Sequence, residues 1–427
     1  MPKGDSKGKA RGKRGQQPRK KGRRTVEDSD DEDSEMQSVT SHASTTGTSG
    51  DEADGFDEGA EEADVEDDFE QILAENIDGA TQRSAKERQC ALFAVQKALK
   101  SRIISDFISD RKITILDCIE RCVKRGTTED RVLASSIAVL LCVQLGAGSE
   151  SQVVFKTLKP HLITVIQDKT ARSAARSSCA TALALCCFIA SDDSDELCEC
   201  LTVLEAIFDH KKTVKADEVG LYSSILLAWA LLLSVTPSRQ AYILINKHLR
   251  RMKTLLETSD LSVRIAAGEI LALMYEMGRD INEDFVGDSN GLCDLLRDLA
   301  TDGNKHKAKK DLRQQRSSFR DILKTVEDGI SPDEVVKFGT ESIELCTWVQ
   351  RRQYTALKDV LGTGVTVHLQ ENDLLRDIFD LGPQLKPTEV QKTSRYQRQL
   401  YNNAVSKART LIRGKNRDKR NNALSMY

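Results

Sequence analysis

Ser259–Met274 reads S-D-L-S-V-R-I-A-A-G-E-I-L-A-L-M, and its spacing decides the fold. Ser259 or Asp260 stands where a helix N-cap accepts backbone N–H bonds from the first turn. Val263, Ala267, Ile270 and Met274 follow at i, i+4, i+7 and i+11, which puts them on one helical face. The small pair Ala267-Gly268 lets a second helix approach that face closely. The stretch reads as the second helix of a two-helix repeat unit.

The same signal recurs outward from it. Arg-x-x-Ala leading into an apolar helix occurs at Arg88/Ala91, Arg131/Ala134, Arg172/Ala175 and Arg264/Ala267. The intervals are 43 and 41 residues, then 92, about twice 46. One unit is skipped near residue 218, where L-Y-S-S-I-L-L-A-W-A-L-L-L (Leu221–Leu233) predicts a strongly buried helix. Periods of about 40–47 residues belong to armadillo and HEAT arrays. The competing reading is an ordinary helical domain without true repeats. Four occurrences in approximate register favour an all-α, armadillo/HEAT-like α-solenoid over residues 76–328.

Charge divides the rest of the chain. The formal net charge of −3 conceals blocks of one sign. Residues 1–24 carry eleven Lys or Arg against Asp5, whereas residues 25–70 carry nineteen Asp or Glu and no cation. Such blocks resist compaction, so residues 1–75 are expected to form a disordered tail, basic and then acidic. Beyond Ser331-Pro332, Val335–Phe338 and Ile343–Leu345 read as short strands, and Trp348–Leu361 as a helix. Val365–Leu369 alternates like another strand. Residues 329–385 are therefore expected to form a small mixed α/β cap, and 386–427 a basic helix or tail.

Catalytic signatures are missing from the sequence. It contains no phosphate-binding G-x-x-x-x-G-K-[ST], no G-x-S-x-G and no H-E-x-x-H. The six histidines, at 42, 161, 210, 248, 306 and 368, are scattered. The expectation is a protein that is not an enzyme, without cofactor, metal or small-molecule substrate. None of the eleven cysteines forms a C-x-x-C pair, and Cys118/Cys122 has no nearby His at ligand spacing. Cys90, Cys118, Cys122, Cys142, Cys179, Cys186, Cys187 and Cys293 sit in apolar helical stretches and read as buried reduced thiols. For Cys198-Glu-Cys200 a metal reading stays open. The longest apolar run, Ile225–Leu233, falls short of the ~20 residues that span a bilayer. No signal peptide is read at Met1, and the expected location is cytoplasmic and nuclear, without a membrane partner.

Two cationic segments are the candidate RNA- or ribosome-binding sites. In T-D-G-N-K-H-K-A-K-K-D-L-R-Q-Q-R-S-S-F-R-D, Asp302 or Asn304 is expected to begin a helix. Lys305, Lys309, Arg313, Arg316 and Arg320 then draw a stripe, with His306, Lys307 and Lys310 beside it. The second segment pairs an apolar seam (Tyr396, Leu400, Ala404, Ala408, Leu411) with Arg395, Arg398, Lys407, Arg409, Arg413, Lys415, Arg417, Lys419 and Arg420. Stripes of this kind neutralise phosphates with release of counterions. A solvated helix face or a localisation signal is the plainer reading of either.

Several longer strings carry a resemblance. Leu299–Asp311 (L-A-T-D-G-N-K-H-K-A-K-K-D), Gln315–Asp321 (Q-R-S-S-F-R-D), Cys186–Asp193 (C-C-F-I-A-S-D-D) and Arg264–Glu269 (R-I-A-A-G-E) closely resemble the interferon-related developmental regulator family. So do Val360–Gln370 and Ser394–Ala404. The resemblance implies an armadillo-like, non-enzymatic regulator with one of two roles. One is a ribosome-bound factor that contacts rRNA and ribosomal proteins and holds ribosomes inactive by occupying tRNA and mRNA sites. The other is a nuclear transcriptional co-regulator that scaffolds deacetylase-containing co-repressor complexes. In the second role the concave face of the solenoid would grip a partner peptide. The two cationic segments favour the ribosome.

Overall fold

The computed structural model describes residues 58–209, 216–287, 291–303 and 308–384. The first units pair α1 (Glu58–Gly79) with α2 (Ala85–Ser101), α3 (Ser105–Arg125) with α4 (Thr128–Leu145), and α5 (Ser149–Gln167) with α6 (Ser173–Ala190). They continue through α7 (Ser194–Phe208) and α8 (Val219–Leu233), α9 (Ser238–Leu255) and α10 (Leu261–Ile281), then α11 (Leu292–Thr301) and α12 (Lys309–Asp328). Each even-numbered helix packs directly on the next, whereas successive odd-numbered helices touch more sparsely. The row of even helices is therefore the inner, concave layer of an α-solenoid.

Composition explains which helix goes where. Helices buried on all sides are apolar on all sides. In α6 the buried residues include the unbroken run Ala182, Leu183, Ala184, Leu185, Cys186 and Cys187, which circles the helix. That helix is long and apolar enough to cross a membrane, yet it is packed between α4, α5 and α8. Outer helices bury one stripe: Ile108, Ile115, Ile119 and Cys122 in α3. The skipped unit is α8, whose Trp229 and Tyr222 are fully buried.

Hydrogen bonds at one-repeat separation set the register. Gln96 donates to Ser136 Oγ (2.7 Å), Ser135 and Ser178 hydroxyls meet at 2.6 Å, and Gln152 donates to Asp192 (2.8 Å). Asn282 donates to the Tyr242 hydroxyl at 3.2 Å. The recurrent arginine also acquires a reason. Arg88 donates to the carbonyls of Gln82 and Arg83, and Arg264 to those of Thr258 and Ser259, the same five- and six-residue steps back into the preceding turn. Arg131 reaches further back, to the carbonyls of Val123 and Lys124, eight and seven residues earlier. In the third unit the exposed Arg172 makes no such bond. Arg176, one turn later, donates to the Ile166 carbonyl instead (2.9 Å). Asp260, rather than Ser259, caps α10 by accepting from the Val263 N–H.

The C-terminal segment is the small mixed α/β cap expected, and it runs along the inner row as a strap. After the antiparallel hairpin β1 (Glu334–Phe338) and β2 (Glu341–Leu345), α13 (Trp348–Leu361) crosses the inner row against α4, α8 and α10. A 3-10 turn at Gly362–Gly364, α14 (Val365–Glu371) and α15 (Asp373–Ile378) then reach the first repeats. At the start of α13, Glu276 of α10 accepts the backbone N–H groups of Trp348 (3.0 Å) and Val349 (3.2 Å). At the far end, His368 meets the Leu99 carbonyl, and Asn372 donates to the Val143 carbonyl (3.0 Å). Gly364 fits there because it lacks a side chain: a Cβ would stand 1.8 Å from the Lys100 carbonyl oxygen.

Three expectations change. The segment expected to be tail up to residue 75 already contains α1 from Glu58, because Leu73 and Ile77 find a core to enter. The strand expected at Val365–Leu369 is helical. Its buried residues Val365, His368 and Leu369 fall at i, i+3 and i+4, and this packing overrides the β propensity of Val-Thr-Val. Cys90 is exposed and Cys293 half-buried, whereas Cys118, Cys122, Cys142, Cys179, Cys186 and Cys187 are buried free thiols as expected.

Candidate functional site

α12 begins at Lys309 rather than near Asp302 or Asn304, with Ala308 as its N-cap. One edge is buried: Gln315, Phe319, Ile322, Thr325 and Val326, at helical spacing. Phe319 and Ile322 close on Gly268 of α10, where a Cβ would lie 2.9 and 2.8 Å from them. Gln315 anchors the helix at three points. Its Nε2 donates to the Leu299 carbonyl (3.1 Å) and to Asp302 (3.2 Å), while its Oε1 accepts from Arg264 Nη2 (2.7 Å). A buried amide with its partners satisfied specifies orientation. The opposite edge of α12 is thereby fixed toward solvent.

That edge carries Lys309, Arg313 and Arg320, all exposed, with Lys310 beside them. Lys324 extends the series by another i+4 step and is also exposed. Lys324 was not among the expected residues, although its spacing from Arg320 pointed to it. Asp321 lies 3.9 Å from Arg351 of α13, which balances its charge. From Lys309 to Lys324 the stripe runs about 22 Å. Lys309, Leu312, Arg313, Arg316, Ser317 and Arg320 line an open concavity of about 450 Å³. The positive end of the helix dipole lies at the Lys309 end and adds to the field there.

Arg316 departs from the expected role. It is half-buried, and its Nε donates to the Asp302 carbonyl at 2.8 Å, so it ties down the α11–α12 loop. Lys305, His306 and Lys307 lie outside the described residues. So do Arg395, Arg398, Lys407, Arg409, Arg413, Lys415, Arg417, Lys419 and Arg420, together with the apolar seam expected among them.

Among the described residues no three His, Cys, Asp or Glu side chains are grouped to hold a metal. Cys198 and Cys200 have different neighbours. Gln240 donates to the Cys198 sulfur at 2.9 Å, whereas Cys200 is buried against Cys187. The arrangement on α12 suits phosphate recognition: Lys as a point charge, Arg as a planar fork that pairs with two oxygens.

Comparison with known proteins agrees with the strings quoted above. Residues 36–327 match the family described as interferon-related developmental regulator, and residues 372–421 match the interferon-related protein conserved region. Interferon-related developmental regulator 1 of Sus scrofa is 44% identical over 373 residues, 84% of this chain and 83% of its own. Interferon-related developmental regulator 2 of Mus musculus is 43% identical over 376 residues, 85% of each chain. The regulator 1 of Homo sapiens is 43% identical over 373 residues, 84% of this chain and 83% of its own. The chain belongs to the interferon-related developmental regulator family.

Proposed function

We propose that this regulator binds ribosomal RNA through the cationic edge of α12, assisted by the basic C-terminal segment, and so represses translation on inactive ribosomes. The observation that carries the reading is the rigid presentation of Lys309, Arg313, Arg320 and Lys324 on one edge of a helix whose other edge is locked into the core. A solvated helix face needs no such anchoring by Gln315 and Arg264. Pre-positioned cations lose less freedom when they meet phosphates, which favours binding. Occupation of the tRNA and mRNA sites is the form of repression this reading assigns.

The transcriptional alternative, a scaffold for deacetylase-containing complexes, was expected to use the concave face. α13 lies across part of that face, against α4, α8 and α10, and so leaves such an adaptor less of it. Sedimentation separates the two readings. Co-migration with 80S monosomes at moderate salt, lost on charge reversal of α12, is the expected result. Absence from monosomes in quiescent cells would overturn the ribosome reading, and partner capture that survives RNase would favour the adaptor.

A further inference from the structure

Where α13 bridges the inner row it does not seal against it. A cavity of about 420 Å³ remains between α13 and helices α2, α4, α6 and α8, within the size range of small-molecule sites. Its lining is unusual for the core of a helical repeat. Ser135, Ser136, Ser178, Thr181 and Ser224 bring hydroxyls from three successive inner helices, Lys100 and Arg352 bring two cations, and Asp359 brings one carboxyl. Val139, Leu185, Leu227 and Leu231 supply an apolar wall.

Arg352 is the feature that structure alone does not explain. Its Nε is buried and has no hydrogen-bond partner, and the guanidinium forms no ion pair among the described residues. A buried charged donor without a partner is costly unless something satisfies it. Glu269 and Asp359 act on the guanidinium through space without forming an ion pair with it, and burial pushes both carboxyls up. The Thr181 and Ser224 hydroxyls likewise make no side-chain hydrogen bond among the described residues.

We propose that this cavity binds a small phosphorylated molecule of about mononucleotide size. Its phosphate would meet Arg352 and Lys100, with hydroxyl donors from Thr181 and Ser224, and its body would lie on the apolar wall. Arginine and hydroxyls present several donors to an acceptor-only group, the pairing phosphate oxygens require. A bound molecule would touch α13 and three inner helices at once, and would therefore tighten the strap. The proposal is independent of the RNA-binding reading, because the cavity and the α12 edge share no residue.

Isothermal titration of the full chain tests it with inorganic phosphate, ribose 5-phosphate and adenosine monophosphate, with adenosine as the uncharged control. At least one phosphorylated probe is expected to bind and to raise the melting temperature. Its affinity should fall at least tenfold in Arg352→Met and severalfold in the near-isosteric Thr181→Val/Ser224→Ala pair. It should not change in Lys309→Glu/Arg313→Glu. The double variant preserves the test if Arg352→Met does not fold. The proposal is overturned if no phosphorylated probe binds, or if binding is lost with the α12 reversals and kept in both cavity variants.

Discussion

The imidazole Nε2 of His368 lies 3.1 Å from the carbonyl oxygen of Leu99, joining α14 to the end of α2 across 269 residues of chain. A carbonyl accepts, so Nε2 carries the proton. Nδ1 is then the acceptor, and it faces the Asn372 amide at 3.5 Å. Both atoms sit in a fully buried site that requires the neutral ring.

Burial holds the His368 pKa below the usual histidine value, against the opposing pull of the Leu99 and Lys100 carbonyls. Below about pH 6.5 the unfolded chain takes up a proton that the folded site refuses. The stability His368 contributes is therefore complete above that pH and declines as the pH falls through it. The melting temperature should drop between pH 7.5 and 5, and the drop should be smaller in His368→Gln. His248 is shifted the same way by burial, so the difference between wild type and variant is the quantity to read. Equal drops in both would dismiss the assignment.

At Gly364 the strap passes directly against the Lys100 carbonyl at the end of α2. Substitution by Ala places a methyl group against the Lys100 carbonyl, a backbone atom that has no rotamer to escape into. Overpacking of this kind destabilises by about 1–3 kcal/mol. Gly364→Ala should lower the melting temperature and speed proteolysis within residues 329–384 more than within α4 to α8. Unchanged cleavage would mean that the strap is not held there.

How much of this was legible beforehand differs by element. The inner row was, because α6 and α10 are apolar around their circumference and recur at the armadillo interval. The strap was not, because the pairing of Gly364, His368 and Asn372 with Lys100, Leu99 and Val143 leaves no periodic trace in the sequence. Nor was the fate of Arg316. Spacing along α12 puts it beside Lys309 and Arg320, and what draws it away is the Asp302 carbonyl of the preceding loop, which leaves no mark on that spacing. Simple spacing also chose the wrong arginine in the third repeat.

That error yields a clean contrast. Arg176 is buried and satisfies the Ile166 carbonyl, whereas Arg172, four residues earlier, is exposed and makes no side-chain cap. Arg176→Met should cost about 1–3 kcal/mol by orphaning a buried acceptor. Arg172→Met should stay within about 0.5 kcal/mol of wild type. Urea denaturation of the two variants measures both, and equal midpoints would refute the repeat role given to the arginine.

The cationic edge of α12 can be separated from its anchors by charge reversal. Lys309, Arg313, Arg320 and Lys324 are exposed and form no ion pair among the described residues, so changing them to Glu should leave the melting temperature within a few degrees. RNA affinity should fall steeply, and each lost phosphate contact should reduce the slope of log affinity against log salt by about 0.7 to 0.9. Arg316→Glu behaves differently: it breaks the bond to the Asp302 carbonyl and should lower the melting temperature as well as the affinity. Filter binding to rRNA fragments from 50 to 300 mM salt, paired with thermal unfolding, reads both quantities. A salt slope that survives reversal of all four exposed cations would move the RNA contact away from α12.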